Sequence, residues 1–182
     1  MHSEQRVVAN ILVMCTANAG RSPIAEAILR RKLHERGFPH VNVESAGMCV
    51  HELGWTGMGV STLVADVAAG HGLDLSQHRA RPFDPDRFGE FDLIVVMEKW
   101  QAAALHHVFH PPEGKVCTLR RLGGENGDPD TPDVAGVPAD ALEAYFNEAE
   151  HCLEAALKNG PLARLIANVS HTVPKPRSGN PT

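Results

Sequence analysis

Val7 to Met14 read VVANILVM, an almost unbroken apolar run of strand length. Such a run fits a strand buried on both faces of a parallel sheet. Thr16 to Gly20 follow with mostly small side chains. Ser22-Pro23 then open a stretch in which Ile24, Ala27, Ile28 and Leu33 recur at helical spacing until Gly37. Ser22 as N-cap, Pro23 at the first helical position and Glu26 in the first turns form a consistent start signal. The alternation repeats: Val41 to Ser45 as a second strand, 48 to 57 as a loop, Val60 to His71 as a helix stopped by Gly72. Phe91 to Met97 (FDLIVVM) read as a third buried strand, Glu98 to Val108 as a helix closed by Pro111-Pro112, and Lys115 to Leu119 as a short fourth strand. Ala139 to Lys158 carry an amphipathic helical pattern ended by Asn159-Gly160, and Leu162 to Val169 add one or two turns. These lengths predict an α/β fold: three α/β/α layers around a central four-stranded parallel sheet.

Residues 120 to 138 break the pattern with Gly123, Gly124, Gly127, Pro129, Pro132, Gly136 and Pro138 among Glu125, Asp128, Asp130 and Asp133. A stretch so rich in breakers and acids is a surface loop, and long loops in small domains tend to be functional. There is no internal repeat, and residues 1–160 read as one domain. Residues 161–182 read as a C-terminal extension whose end, Pro174 to Thr182, has a disordered composition.

The chain has 182 residues, 43% of them hydrophobic, and a formal net charge of -5. That charge removes the electrostatic case for nucleic acid or an anionic membrane as partner. The basic runs Arg30 to Arg36 and Arg79 to Arg87 read as a solvated helix face and a solvated loop. No apolar run reaches the roughly 18–20 residues of a membrane span, and the N-terminus lacks a secretory pattern. Cys15, Cys49, Cys117 and Cys152 include no CxxC pair, which fits a reducing, cytoplasmic setting. His106, His107 and His110 lack a Cys or acidic partner at ligand spacing, so they are assigned to a helix end and no metal site is expected.

Cys15-Thr16-Ala17-Asn18-Ala19-Gly20-Arg21-Ser22 sits where a parallel α/β fold binds ligands, after a strand and at a helix N-terminus. Helix N-termini offer unpaired N–H groups and a positive field, and a short loop lets successive amides converge on an anion. GxxxxGK[ST] is absent, so this is not a nucleotide-binding loop. The same field, with Arg21 and the Ser22 hydroxyl, favours the thiolate of Cys15, a competent nucleophile toward phosphorus. Arg21 supplies a planar fork for phosphate oxygens. Thr16, Ala17, Ala19, Gly20 and Ser22 complete the anion cradle. Asn18 is assigned to holding the loop's conformation, because Asn tolerates unusual dihedrals.

This arrangement resembles the low-molecular-weight protein tyrosine phosphatases, a family that includes related arsenate reductases and protein-arginine phosphatases. The resemblance rests on Cys15 to Ser22 followed by Pro23-Ile24-Ala25-Glu26, on Ser45-Ala46-Gly47, on Gly72 to Arg81, on Phe91 to Glu98 and on Thr118-Leu119. It implies phosphomonoester hydrolysis without metal or cofactor, through a phosphocysteine on Cys15, with a loop aspartate as proton donor. Asp133, in Asp130-Thr131-Pro132-Asp133-Val134, matches the family context best although Val134 replaces a proline. Asp128, in Asp128-Pro129, is the second candidate. Tyr145 matches a family aromatic. The resemblance implies a phosphoprotein or a small phosphate ester as substrate and a bacterial setting, and with no obvious extra apolar face a monomer is the default.

Three departures bear on specificity. Gly20 stands where many members carry a second Cys, so no vicinal disulfide forms. Ala19 leaves the pocket wall open. Val50 occupies a region where the family often presents an aromatic wall, and Trp55 is either its substitute or a core or lid residue. Arsenate reduction needs further thiols, and residues 74 to 116 contain none. Arginine dephosphorylation is disfavoured by the absence of Thr at position 19. A phosphate-binding protein without turnover remains the rival from a different class, against which the retained Cys15 speaks.

Overall fold

The computed structural model describes residues 8–170. The chain runs β1 (Asn10–Cys15), α1 (Arg21–Glu35), β2 (Asn42–Gly47), α2 (Thr62–Gly70), β3 (Leu93–Val96), α3 (Lys99–Phe109), β4 (Val116–Thr118), α4 (Leu119–Leu122), α5 (Ala139–Lys158) and α6 (Gly160–Ser170). A 3₁₀ turn over Pro85–Glu90, which the sequence pattern did not reveal, precedes β3. The four strands form one parallel sheet in the order β2-β1-β3-β4. The predicted three-layer α/β/α architecture is therefore the observed one.

Period-two alternation divides β1 between two cores. Ile11, Val13 and Cys15 face one cluster with Ile24, Ile28 and Leu33 of α1 and Leu142, Phe146 and Leu153 of α5. Leu12 and Met14 face the other, with Ile94, Val96, Leu105 and the phenylalanines Phe88 and Phe91. Both faces of β1 are covered, which is why its sequence is a continuous apolar run. Val8 and Ala9 precede the strand, and Val7 lies outside the described residues. The chain leaves β1 for β2 on one side and then returns to β3 on the other. The switch point between these two crossovers lies at the C-terminal end of β1, beside Cys15.

Helix α1 corrects one expectation. Its N-cap is Gly20, and Ser22 is the second residue of the helix, fully buried. The Ser22 hydroxyl bonds to Cys15 and Asn18 and caps nothing in its own helix. Pro23 falls at the third position, still in the first turn, where its missing N–H costs no helical bond.

The basic run on α1 is likewise not a solvated face. Lys32 is buried, with Nζ 2.7 Å from Glu150 and 3.1 Å from Glu154 of α5. Arg31 pairs with Glu150, and Arg36 reaches Glu154 at 2.6 Å. These cations bind α1 to α5 and hold the Glu154 carboxyl down at about 2, first through Lys32 and then Arg36. On the second basic run, Arg87 and then Arg81 clamp Glu44 and lower its carboxyl likewise.

Helix α6 exceeds the one or two turns expected, and Leu162, Ile166 and Val169 join the core. Pro174 to Thr182 lie outside the described residues. His106 and His107 occupy the last turn of α3, and His110 is its left-handed cap at φ 46°. Among the described residues no helix is long and apolar enough to cross a membrane.

Candidate active site

Cys15 ends β1 opposite Gly47 of β2. Its Sγ receives the Asn18 amide at 3.2 Å and lies 3.0 Å from the Ser22 hydroxyl. Asn18 Nδ2 donates to that hydroxyl oxygen at 2.9 Å, which leaves the hydroxyl hydrogen free for the sulfur. Sulfur thus accepts from two directions inside the loop.

Asn18 holds the loop together. Its φ of 53° lies in the left-handed region, a conformation that asparagine tolerates. Its Nδ2 also donates to Ser45 Oγ at 2.9 Å, and its Oδ1 accepts the Arg81 amide at 3.0 Å. Its carbonyl oxygen meets His78 Nε2 at 2.7 Å. Gly47 permits this closeness. A Cβ there would lie 2.8 Å from the Thr16 carbonyl oxygen, 2.9 Å from the Asn18 nitrogen and 2.5 Å from Val50.

Arg21 is buried, and its backbone carbonyl accepts the Tyr145 hydroxyl at 2.6 Å. Burial pushes that phenol well up, so it stays a donor. The Arg21 guanidinium donates to the Thr131 carbonyl at 2.9 Å and pairs with Glu98 at 2.7 Å. Asp133 lies 3.4 Å from the same guanidinium. Glu98 also accepts the Trp100 indole at 2.9 Å. Sequence reading missed Glu98 as a partner of Arg21. The available signal was its place just beyond β3, the strand paired with β1.

A cavity of about 620 Å³ opens over the loop, with Cys15, Thr16, Ala17, Ala19, Gly20 and Arg21 lining it. Trp55 and Asp133 line it as well. Asn18 and Ser22 do not. Both are fully buried behind the loop and act on its shape.

Ser22 is thus corrected from cradle to support, and two further expectations are corrected. Val50 is fully buried and packs on the Gly47 backbone, so it cannot form a cavity wall. The turn at 48–54 points it inward, and Leu53, Trp55 and Met58 supply the wall. Asp128 lies outside the cavity, in a separate depression with Arg120, Glu148 and His151, and its carboxylate accepts the Asp130 amide. Asp130 bonds the Lys99 amide at 2.6 Å and Thr131 N–H bonds the Met97 carbonyl at 2.8 Å. These anchors fix the loop at the end of β3 and present Asp133, two residues on, to the cavity.

The sequence profile of the low molecular weight phosphotyrosine protein phosphatase family matches residues 10–169. The chain belongs to that family. It is 39% identical over 141 residues to the low molecular weight protein-tyrosine-phosphatase Etp of Escherichia coli, covering 78% of this chain and 87% of that one. It is 36% identical over 140 residues to Wzb of Salmonella typhimurium, covering 77% and 86%. Among solved structures, Vibrio vulnificus Wzb in complex with benzylphosphonate superposes with a TM-score of 0.72 at 25% identity, covering 82% of this chain and 97% of that one.

Proposed function

We propose that this chain hydrolyses phosphotyrosine in proteins through a phosphocysteine on Cys15. The observation that carries this reading is the convergence of Cys15, Arg21 and Asp133 on one cavity. The Cys15 thiolate attacks phosphorus, an S–P bond forms and the P–O bond to the phenol breaks. Arg21, held by Glu98 and Thr131, keeps further N–H donors for the equatorial oxygens of the transferring group. Phosphate entering that fork releases Asp133 from its 3.4 Å contact to give a proton to the departing phenolate oxygen. In the second half, Asp133 takes a proton from water as the water attacks phosphorus. The S–P bond then breaks, inorganic phosphate leaves and the thiolate returns.

Asp133 is the acid in this account, and Asp128 has no part in it. The site needs no metal for either step. The relatives' names point to proteins as substrates, and four free thiols suit a reducing cytoplasm. The enzyme acts as a monomer in this reading.

The test is hydrolysis of an aryl phosphate between about pH 5 and 8. Cys15→Ser is expected to abolish turnover. Asp133→Ala is expected to lose about 100-fold in kcat, with Asp128→Ala within about twofold of the parent. A parent that binds phosphate or vanadate without turnover would instead be a phosphate-binding protein.

A further inference from the structure

The Cys15–Arg21 loop accounts for only one end of the cavity. The remaining wall is mostly apolar, with Leu53, Trp55, Met58, Val60, Val64 and Val134 as its large side chains and Ser61 as its one uncharged polar residue among the described residues. At about 620 Å³ it falls in the range of pockets that enclose whole drug-sized ligands, about 300–1,000 Å³. That leaves room for a second side chain beside a single phosphorylated ring.

The charge of the lining is equally informative. Among the described residues Arg21 and Asp133 are its only charged ones, and both belong to the proposed reaction centre. Arg79, beside Gly59, does not line the cavity, and its guanidinium donates to the Ser76 and His78 carbonyls. An acidic residue next to the phosphorylated one would find no cation in the cavity and would face Asp133.

Surface exposure supplies an independent observation. Among the described residues six large hydrophobic side chains are exposed, and four of them fall within residues 53–63. Met58 is 57% exposed, Leu53 47% and Trp55 40%, with Leu63 adjacent on α2. Exposed apolar side chains gathered at the mouth of a cavity mark a binding surface. Val60 and Val134 are packed against the core beneath, so this wall has a fixed base.

We propose that Leu53, Met58, Val60 and Val64 form a specificity subsite for a large apolar side chain next to the phosphotyrosine in the substrate polypeptide. The inference rests on the protein tyrosine phosphatase reading above. Substrate binding covers Met58 and Leu53, and discrimination of about tenfold is what one well-buried apolar group supplies. Sites with acidic neighbours are disfavoured.

The test uses the Cys15→Ser protein and two phosphotyrosine peptides that differ only in the flanking positions, leucine and methionine against aspartate and glutamate. The apolar peptide is expected to bind about tenfold tighter. Adding Met58→Ser and Leu53→Ser together should reduce the ratio to about twofold or less. Met58→Leu should keep it, as should Val108→Ser, an exposed hydrophobic on α3 outside the cavity. Equal binding of the two peptides, tighter binding of the acidic one, or a preference untouched by the double substitution would overturn the subsite. Because the readout is binding, it stands apart from catalysis. Failure of the phosphatase reading would show as absent aryl phosphate turnover by the parent.

Discussion

The two loops that meet at the cavity are built on opposite plans. In the Cys15–Ser22 loop the polar groups are buried and mutually bonded: Asn18 alone ties Ser22, Ser45, His78 and the Arg81 backbone together. In the 123–138 loop Asp130 and Thr131 are bonded to α3 and the end of β3, and Val134 packs against the core. Asp133, between these anchors, is 66% exposed on its side chain. Anion binding needs donors already aligned before the charge develops, because reorganising them would cost part of the stabilisation. Proton transfer needs a group that can shift between leaving oxygen and water. The first loop therefore has one arrangement enforced by many contacts, and the second is anchored on both sides of an exposed carboxylate.

Disrupting the rigid loop should have the largest effect. Asn18→Ala removes three side-chain bonds and leaves a non-glycine residue at φ 53° without local support. The expected cost is about 2–4 kcal/mol of stability, read by denaturant unfolding, together with weakened phosphate protection. Serine at position 45 replaced by alanine should cost less, since one of these bonds is lost.

The contact between the two loops gives a sharper test. A Cβ on Gly20 would lie 2.8 Å from Val134 Cγ2, next to Asp133. Gly20→Ala should displace Asp133 by a fraction of an ångström to about 1 Å, and if Asp133 is the proposed proton donor this costs about 10–100-fold in kcat. The loss should be greater for esters with poor leaving groups than for activated ones, while vanadate binding changes little. A uniform loss across leaving groups would mean that Gly20 serves the anion loop alone.

The smallest effect concerns the α1–α5 seam, far from this contrast. Glu154 has a folded-state value of about 2 against 4.5 for the free carboxyl. Its contribution is fully present above about pH 4.5 and is lost as pH falls toward 2. Glu154→Gln should lower stability by about 0.5–1 kcal/mol at pH 7. The difference from the parent should vanish in acid, as followed by unfolding midpoints across that range.

The rigid loop was also the more legible one in the sequence. Local signals specify it: a two-face buried strand, small residues, then an apolar helix, all within about 25 contiguous residues. Boundaries moved by one to three residues, and Ser22 was misread as a cap because a serine before proline carries the same local signal whether it caps or bonds elsewhere. What the sequence left hidden depends on distant segments. Glu98 reaches Arg21 only because β3 pairs with β1. Asp133 and Asp128 differ locally by little, and the anchoring of Asp130 and Thr131 to α3 and β3 separates them. Val50 illustrates the same point, since the direction of a loop side chain follows from the glycine backbone it packs against.

In the proposed reaction phosphate passes through Cys15. Rapid acid quenching of the enzyme with an aryl phosphate, followed by mass mapping of the modified peptide, tests it directly. Phosphate is expected on Cys15, forming within one turnover, persisting longer in Asp133→Ala when the leaving group is activated, and absent in Cys15→Ser. Continued turnover with phosphate on another residue, or undiminished turnover by Cys15→Ser, would contradict it.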